Sequence, residues 1–210
     1  MYDSKTERSF PTDHFINREL SLLQFQRRVL AQAADRTVPL LERLRFLCIV
    51  SSNLDEFFEI RVSGIKEQIR IGCRKAGDDG ISPLELLERV SDEVHEILTL
   101  QYSLLNDDIL PALEQEGVVF LRRSLWTEAQ LRWIRDYFMR EVMPVLTPIG
   151  LDPAHPFPRV LNKSLNFAVE LDGKDAFGRS SGAAIVQAPR VLPRVIRLPR
   201  ELCDGEGCEY

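Results

Sequence analysis

Through the first half of this chain, apolar residues recur at three- and four-residue steps. Leu20, Leu23, Val29 and Leu30 begin the series, with Phe25 close by. Leu40, Leu41, Leu44, Leu47 and Cys48 continue it, with Arg43 and Arg45 expected on the outer side. Leu54, Phe57, Phe58, Ile60, Val62, Ile65 and Ile69 carry it to about Ile71. After the turn-rich GCRKAGDDGIS, Leu86, Leu87, Val90, Val94, Ile97, Leu98, Tyr102 and Leu105 resume it. This is the period of a helix that buries one face. Residues 15–116 therefore read as an all-α antiparallel helical bundle, preceded by a flexible lead-in over 1–14. Pro39 suits a first helical turn. Ser82 and Glu85 have capping-box spacing ahead of the longest helix, and Pro111 is expected to kink or end it.

The period changes at Gly117. VVFL, LNFAVEL, AAIVQA and RVIRL read as short strands, and Thr127 caps a helix whose core face is Leu131, Ile134, Phe138 and Val142. TPIGLDPAHPFPRV, rich in Pro and Gly, is expected to hold no regular element. Residues 117–210 read as an incomplete α+β domain, which makes the chain α+β overall. So few strands with open edges are marginal alone, so Tyr210 is not expected to be the natural end of the protein.

Charge and composition narrow the function. The net charge is -5, which disfavours bulk nucleic-acid binding. The 44% hydrophobic and 28% charged fractions are those of a soluble globular protein. No apolar run is long enough to span a bilayer, and MYDSKTERSFPTDH lacks the apolar stretch of a signal peptide. The expected location is cytoplasmic, with peripheral membrane association left open. Cys48 reads as a small core residue. Cys203 and Cys208 form a lone C-x4-C pair, too few ligands for a structural zinc site, so no metal site is expected here.

The stretch SSNLDEFFEIR, Ser51 to Arg61, stands out because a polar triplet interrupts the apolar series. Its plain reading is a helix restart. Ser52 and Asp55 have capping-box spacing, and Asp55 and Glu56 suit the positive end of a helix dipole. Those carboxylates would repel phosphate from a helix start. Asn53 is left as a candidate base contact, because a carboxamide donates and accepts together and matches an adenine edge. Arg61, two turns on, is a candidate for the same cleft or for a surface ion pair. Arg190, Arg194, Arg197 and Arg200 could meet a polyanion, but the favoured reading is a charged edge strand that discourages aggregation. Trp126 and Trp133 read as core anchors.

The block FINRELSLLQFQRRVL, PLLERLRFL, S-x-NLDEFF and the following Arg-Val resemble the start of the polyphosphate kinase family that works through a phosphohistidine. LTPIGLDPAHPFP, N-x-SLN-x-AV and VLPRVIRLP extend the resemblance from Phe15 to about Pro199. Leu22 or Leu23 stands where that family often has Trp. The resemblance implies a helical N-terminal domain, an α+β dimerisation domain, and catalytic domains beyond it. It implies reversible transfer of the terminal phosphate of ATP to polyphosphate with Mg2+, in a homo-oligomer. It assigns adenine contact to Asn53 and gives none of His14, His95 or His155 the phospho-accepting role. The catalytic residues are expected beyond Tyr210, so this chain alone is expected to be inactive. The alternative is a non-catalytic helical interaction module that binds no nucleotide.

Overall fold

The computed structural model describes residues 10–151, 156–173 and 182–203. Contacts divide the chain into two compact units, one ending at Phe120 and the next beginning at Leu121. Each is described by itself.

In the first unit, α1 (Arg18–Ala34) starts where the Asn17 side chain accepts a hydrogen bond from the Leu20 amide at 3.0 Å. That satisfies one of the amides a helix start leaves unpaired. A short loop leads into α2 (Leu40–Phe57), and contacts between the two run in opposite directions. Arg43 meets Ala33 beside the loop, whereas Asn53 meets Gln26 farther along both helices. α3 (Ser63–Arg70) follows, then α4 (Pro83–Ser103) and α5 (Leu110–Gln115). Gln101 of α4 donates to the Leu47 carbonyl, and Asp108 meets Arg43, so this last arm runs antiparallel to α2. The result is the expected helical bundle. Its core joins Leu23, Leu30, Leu47, Val50, Leu54, Phe57, Val90, Val94, Ile97, Ile109 and Leu113.

No helix break exists at Ser51–Asn53. α2 runs through the triplet to Phe57, so the capping reading of Ser52, Asp55 and Glu56 is corrected. Ser51 and Ser52 are exposed, while Val50, Leu54 and Phe57 on the opposite side are buried. Mid-helix Ser and Asn cost only tenths of a kcal/mol each, roughly, and packing of the apolar stripe outweighs that.

The interruption comes later, as a π-helical turn at Phe58–Val62. Phe57 and Val62 are both buried, five residues apart. An α-helix would put them about 140° apart. A wider turn admits the extra residue and returns Val62 and Ile65 to the core side. A second π turn, Leu104–Ile109, precedes Pro111. Proline cannot donate to the helix ladder, and here the helical path neither ends nor visibly stops at it, because α5 begins at Leu110 with Pro111 in its first turn.

The loops that follow α3 and α5 both begin on glycine. Gly72 (φ 76°) lets the Cys73 amide reach the Gln68 carbonyl at 2.9 Å. Gly117 (φ 83°) lets the Val118 amide reach Leu113 at 2.8 Å. These are left-handed helix terminations that a Cβ would strain.

Several side chains depart from the expected faces. Arg43 is buried, Cys48 is exposed, and Phe25, Phe58, Ile60 and Tyr102 are exposed. At Ser82 only half of a capping box forms. Its hydroxyl accepts from the Glu85 amide, while the Glu85 carboxylate pairs with Arg89 at 2.6 Å.

In the second unit, α6 (Glu128–Tyr137) carries a full capping box between Thr127 and Gln130. A π turn at Phe138–Val142 follows. Leu131 and Phe138, expected in the core, are exposed. The sheet has the order β1-β3-β2, with β1 (Thr147–Gly150), β2 (Asn166–Glu170) and β3 (Ala183–Gln187) all antiparallel. TPIG, read as irregular, is therefore a strand. Its Pro148 lies opposite Val186 on an edge strand, where a missing amide costs no ladder bond on the open side. VVFL and RVIRL form no strand, since neither finds a partner. Buried Gln130 donates from Nε2 to the Leu202 carbonyl at 2.8 Å, fastening the short turn at Arg200–Leu202 to α6.

Candidate functional site

Asn53 occupies the last two turns of α2, between buried Val50 and buried Leu54 and Phe57. It is half-buried. Its Nδ2 donates to Oε1 of Gln26, on α1, at 3.0 Å. Gln26 is 7% exposed and lies on the core side of α1 with Leu23 and Leu30. A buried carboxamide is costly unless bonded, and the Asn53 contact supplies that bond. Oδ1 and the second Nδ2–H of Asn53 take no hydrogen bond among the described residues. The pair thus presents one acceptor and one donor from a fixed side chain.

The surroundings favour a neutral partner. Asp55, Glu56 and Glu59 are exposed nearby in sequence. With α2 unbroken, the backbone amides here are spent within the helix, and the nearer pole of the helix is its negative end. Both facts disfavour phosphate at this point. Phe57 and Phe58 meet edge to face at 6.1 Å. Arg61 sits inside the π turn, half-buried, with no ion pair or hydrogen bond among the described residues. Of the two readings of Arg61, the surface ion pair does not form among the described residues.

The arginine run behaves differently. It is not an edge strand. Arg190 donates to the Asn162 carbonyl at 2.7 Å and Arg194 to the Lys163 carbonyl at 3.5 Å. Lys163 has φ 57°, a turn conformation that helps display these carbonyls. Two of the four arginines are therefore engaged in holding a turn. Arg61 lies in the first unit and the run in the second.

An open cleft of about 640 Å³ lies elsewhere on the first unit, lined by Phe15, Asn17, Asp79 and Arg89 among others. It does not include Asn53. Asp79 bridges it, accepting from Asn17 Nδ2 at 2.6 Å and from the Ile81 amide at 3.0 Å. That arrangement joins the starts of α1 and α4 and explains its own polar groups.

Among the described residues, no group of three or more His, Cys, Asp or Glu is placed to hold a metal ion. The donor set here does not fit Mg2+. His14 and His95 are exposed, while His155 and Cys208 lie outside the described residues. Trp133 stacks on Tyr137 at 5.4 Å, and Trp126 is half-buried. No helix among the described residues is long and apolar enough to cross a membrane.

The sequence pattern singled out Asn53 and missed Gln26. The available signal was a polar residue among Leu23, Val29 and Leu30 on an otherwise apolar face.

Residues 15–121 match the family model described as Polyphosphate kinase N-terminal domain, and residues 129–209 match the one described as Polyphosphate kinase middle domain. A polyphosphate kinase of Neisseria meningitidis serogroup A is 62% identical over 188 residues, covering 90% of this chain and 27% of the relative. One from Pseudomonas putida is 58% identical over 196 residues, covering 93% of this chain and 27% of the relative. The crystal structure of polyphosphate kinase from Porphyromonas gingivalis superposes with a TM-score of 0.70 at 30% identity, covering 89% of this chain and 27% of that one. The chain thus spans little more than a quarter of the length of these relatives. It belongs to the polyphosphate kinase family.

Proposed function

We propose that this chain is the nucleotide-facing N-terminal part of a polyphosphate kinase, and that Asn53 contacts the adenine ring of ATP or ADP. The observation that carries the reading is the Asn53 carboxamide, fixed at one N–H and unspent at its other N–H and its oxygen. Adenine offers an N6–H donor beside a ring-nitrogen acceptor, which such a group can meet at both positions. Family membership supports ATP and polyphosphate as substrates.

The parent reaction moves the terminal phosphate of ATP onto a histidine and then onto the end of polyphosphate, reversibly. Phosphoryl transfer depends on positioning and on neutralising phosphate charge. The described residues supply neither a metal ligand set nor a glycine-rich phosphate loop. In this reading they bind the base, and Mg2+ and the phosphohistidine belong to catalytic domains of the same protein. The second unit contributes dimer surface in a cytoplasmic homo-oligomer.

Photolabelling tests the base contact. Full-length kinase is irradiated with azido-ATP and digested with trypsin. Label protected by ATP is expected in the peptide 46–61, FLCIVSSNLDEFFEIR. Protected label confined to peptides that lack these residues contradicts the assignment.

A further inference from the structure

The net charge of the chain is -5, yet part of the second unit runs the other way. Residues 156–169 and 182–200 contain no Asp or Glu, and they hold Arg159, Lys163, Arg190, Arg194, Arg197 and Arg200. An ordinary solvated face mixes the two signs. These arginines do not guard a sheet edge either, because residues 190–200 form no strand.

Segregation in sequence becomes proximity in the fold. Thr147 of β1, Gln187 of β3 and Asn166 of β2 form one row across one end of the sheet. The turn before β2 and the segment after β3 meet at that row. Arg190 and Arg194 donate from Nη2 to the carbonyls of Asn162 and Lys163, which are neighbours in the chain. Gln187 donates to the Arg159 carbonyl at 3.4 Å, which brings Arg159 to the same end. Arg159, Lys163, Arg190 and Arg194 are all exposed. Glu170 stands opposite Ala183 at the other end of the sheet, roughly 13 Å away along the strand.

Among the described residues, none of Arg159, Arg190 and Arg194 forms an ion pair. A guanidinium has five N–H donors, and the carbonyl bond of Arg190 or Arg194 uses one of them. Gathering like charges without an acid is unfavourable, and an anion that joins them relieves the repulsion. Phosphate oxygens are the natural match, because a guanidinium fork meets two of them at once.

We propose that this end of the sheet, with Arg159, Lys163, Arg190 and Arg194, is a binding site for polyphosphate, holding an internal stretch of the chain away from the end where transfer occurs. The proposal rests on the reading of polyphosphate as a substrate. In that reading the reacting groups belong to other domains, so this site binds without reacting. A chain long enough to extend from those domains occupies it, and a short one does not.

The test measures KM for polyphosphate in ATP synthesis from ADP by the full-length kinase, with chains of about ten and of several hundred phosphates, at about 0.1 M salt. Arg190→Gln combined with Arg194→Gln is expected to raise KM for the long chains about tenfold and to leave KM for the short chains and for ADP within about twofold of the parent. Arg190→Lys combined with Arg194→Lys keeps the charge, and its long-chain KM is expected to stay within about threefold. A merely structural role for the two carbonyl bonds would move both chain lengths alike, and that result overturns the proposal.

An unchanged long-chain KM in the Gln pair overturns the site and leaves the kinase reading standing. A parent enzyme that makes no ATP from either length removes that reading, and the proposal falls with it. Poly-uridylate is expected to compete weakly with the long chains. Competition as strong as that of polyphosphate itself would assign the site to nucleic acid instead. Should the Gln pair fail to fold, Arg159→Gln decides alone, because that side chain makes no hydrogen bond among the described residues. It is expected to raise the long-chain KM about threefold, and no change contradicts the proposal.

Discussion

Arg43, in the second turn of α2, places its guanidinium Nη2 2.5 Å from Asp108, which lies in the π turn ahead of α5. The same guanidinium donates through Nε to the Ala33 carbonyl at 2.7 Å, at the last turn of α1. One buried cation thus ties the C-terminal end of α1, the start of α2 and the end of the long helical arm. Arg36 adds a weaker, exposed contact to Asp108 at 3.6 Å.

Replacing Arg43 by Ala leaves a buried carbonyl and a part-buried carboxylate without their partner. The expected loss is about 2–3 kcal/mol, below the usual figure for a fully buried pair because Asp108 keeps Arg36 and some solvent. Urea unfolding of the two proteins measures it. A loss below about 0.5 kcal/mol would show that the tie is dispensable.

The hydrogen bond from Arg43 also holds the Asp108 carboxyl below the usual carboxylate range. A group whose folded pKa is depressed stabilises fully above its unfolded pKa, near 3.9 for Asp. That contribution is lost as pH falls through the folded value. Asp108→Asn is therefore expected to lower stability at neutral pH and to flatten the acid side of the stability profile below about pH 4. Parallel acid limbs for the two proteins would contradict this.

Two glycines separated by eight residues should respond in opposite ways. Gly64 lies inside α3, and a Cβ there meets nothing within 4 Å. Gly64→Ala is expected to stabilise by about 0.5–1 kcal/mol through helix propensity. Gly72 has φ 76°, and Gly72→Ala is expected to destabilise by about 1 kcal/mol. Thermal unfolding of both variants checks the pair of signs.

How much of this was legible beforehand depended on range. The apolar steps gave the helices, because Leu47, Val50, Leu54 and Phe57 state their period locally. The same stripe overrode the polar triplet Ser51–Asn53, which local capping logic read as a break. The π turn lies in the five-residue gap from Phe57 to Val62, a spacing that continuous helical periodicity does not single out. A charged Arg43 reads locally as an outer residue. Its partner Asp108 lies 65 residues away, beyond any local pattern. The Pro- and Gly-rich composition around Pro148 signals an irregular segment, although an edge strand tolerates that proline. RVIRL alternates like a strand but has no neighbour to pair with. Asn53 stands out in the sequence through its chemistry and the family pattern, whereas its bond to Gln26 comes from the packing of α1 on α2 and has no local signal.

The 210-residue chain, given ATP and Mg2+, is expected to form no polyphosphate. In the proposed reading it binds a base and holds no group to receive a phosphate. Polyphosphate above the enzyme-free blank, from protein free of other kinases, would place chemistry on these residues and overturn that division of labour.

The most direct measurement is the Michaelis constant for ATP in full-length kinase with Asn53→Ala. In the proposed reading, loss of a paired donor and acceptor to adenine raises it about tenfold, with kcat little changed because that reading assigns the ATP phosphates to other domains. A KM equal to that of the parent enzyme contradicts the assignment of Asn53 to the base.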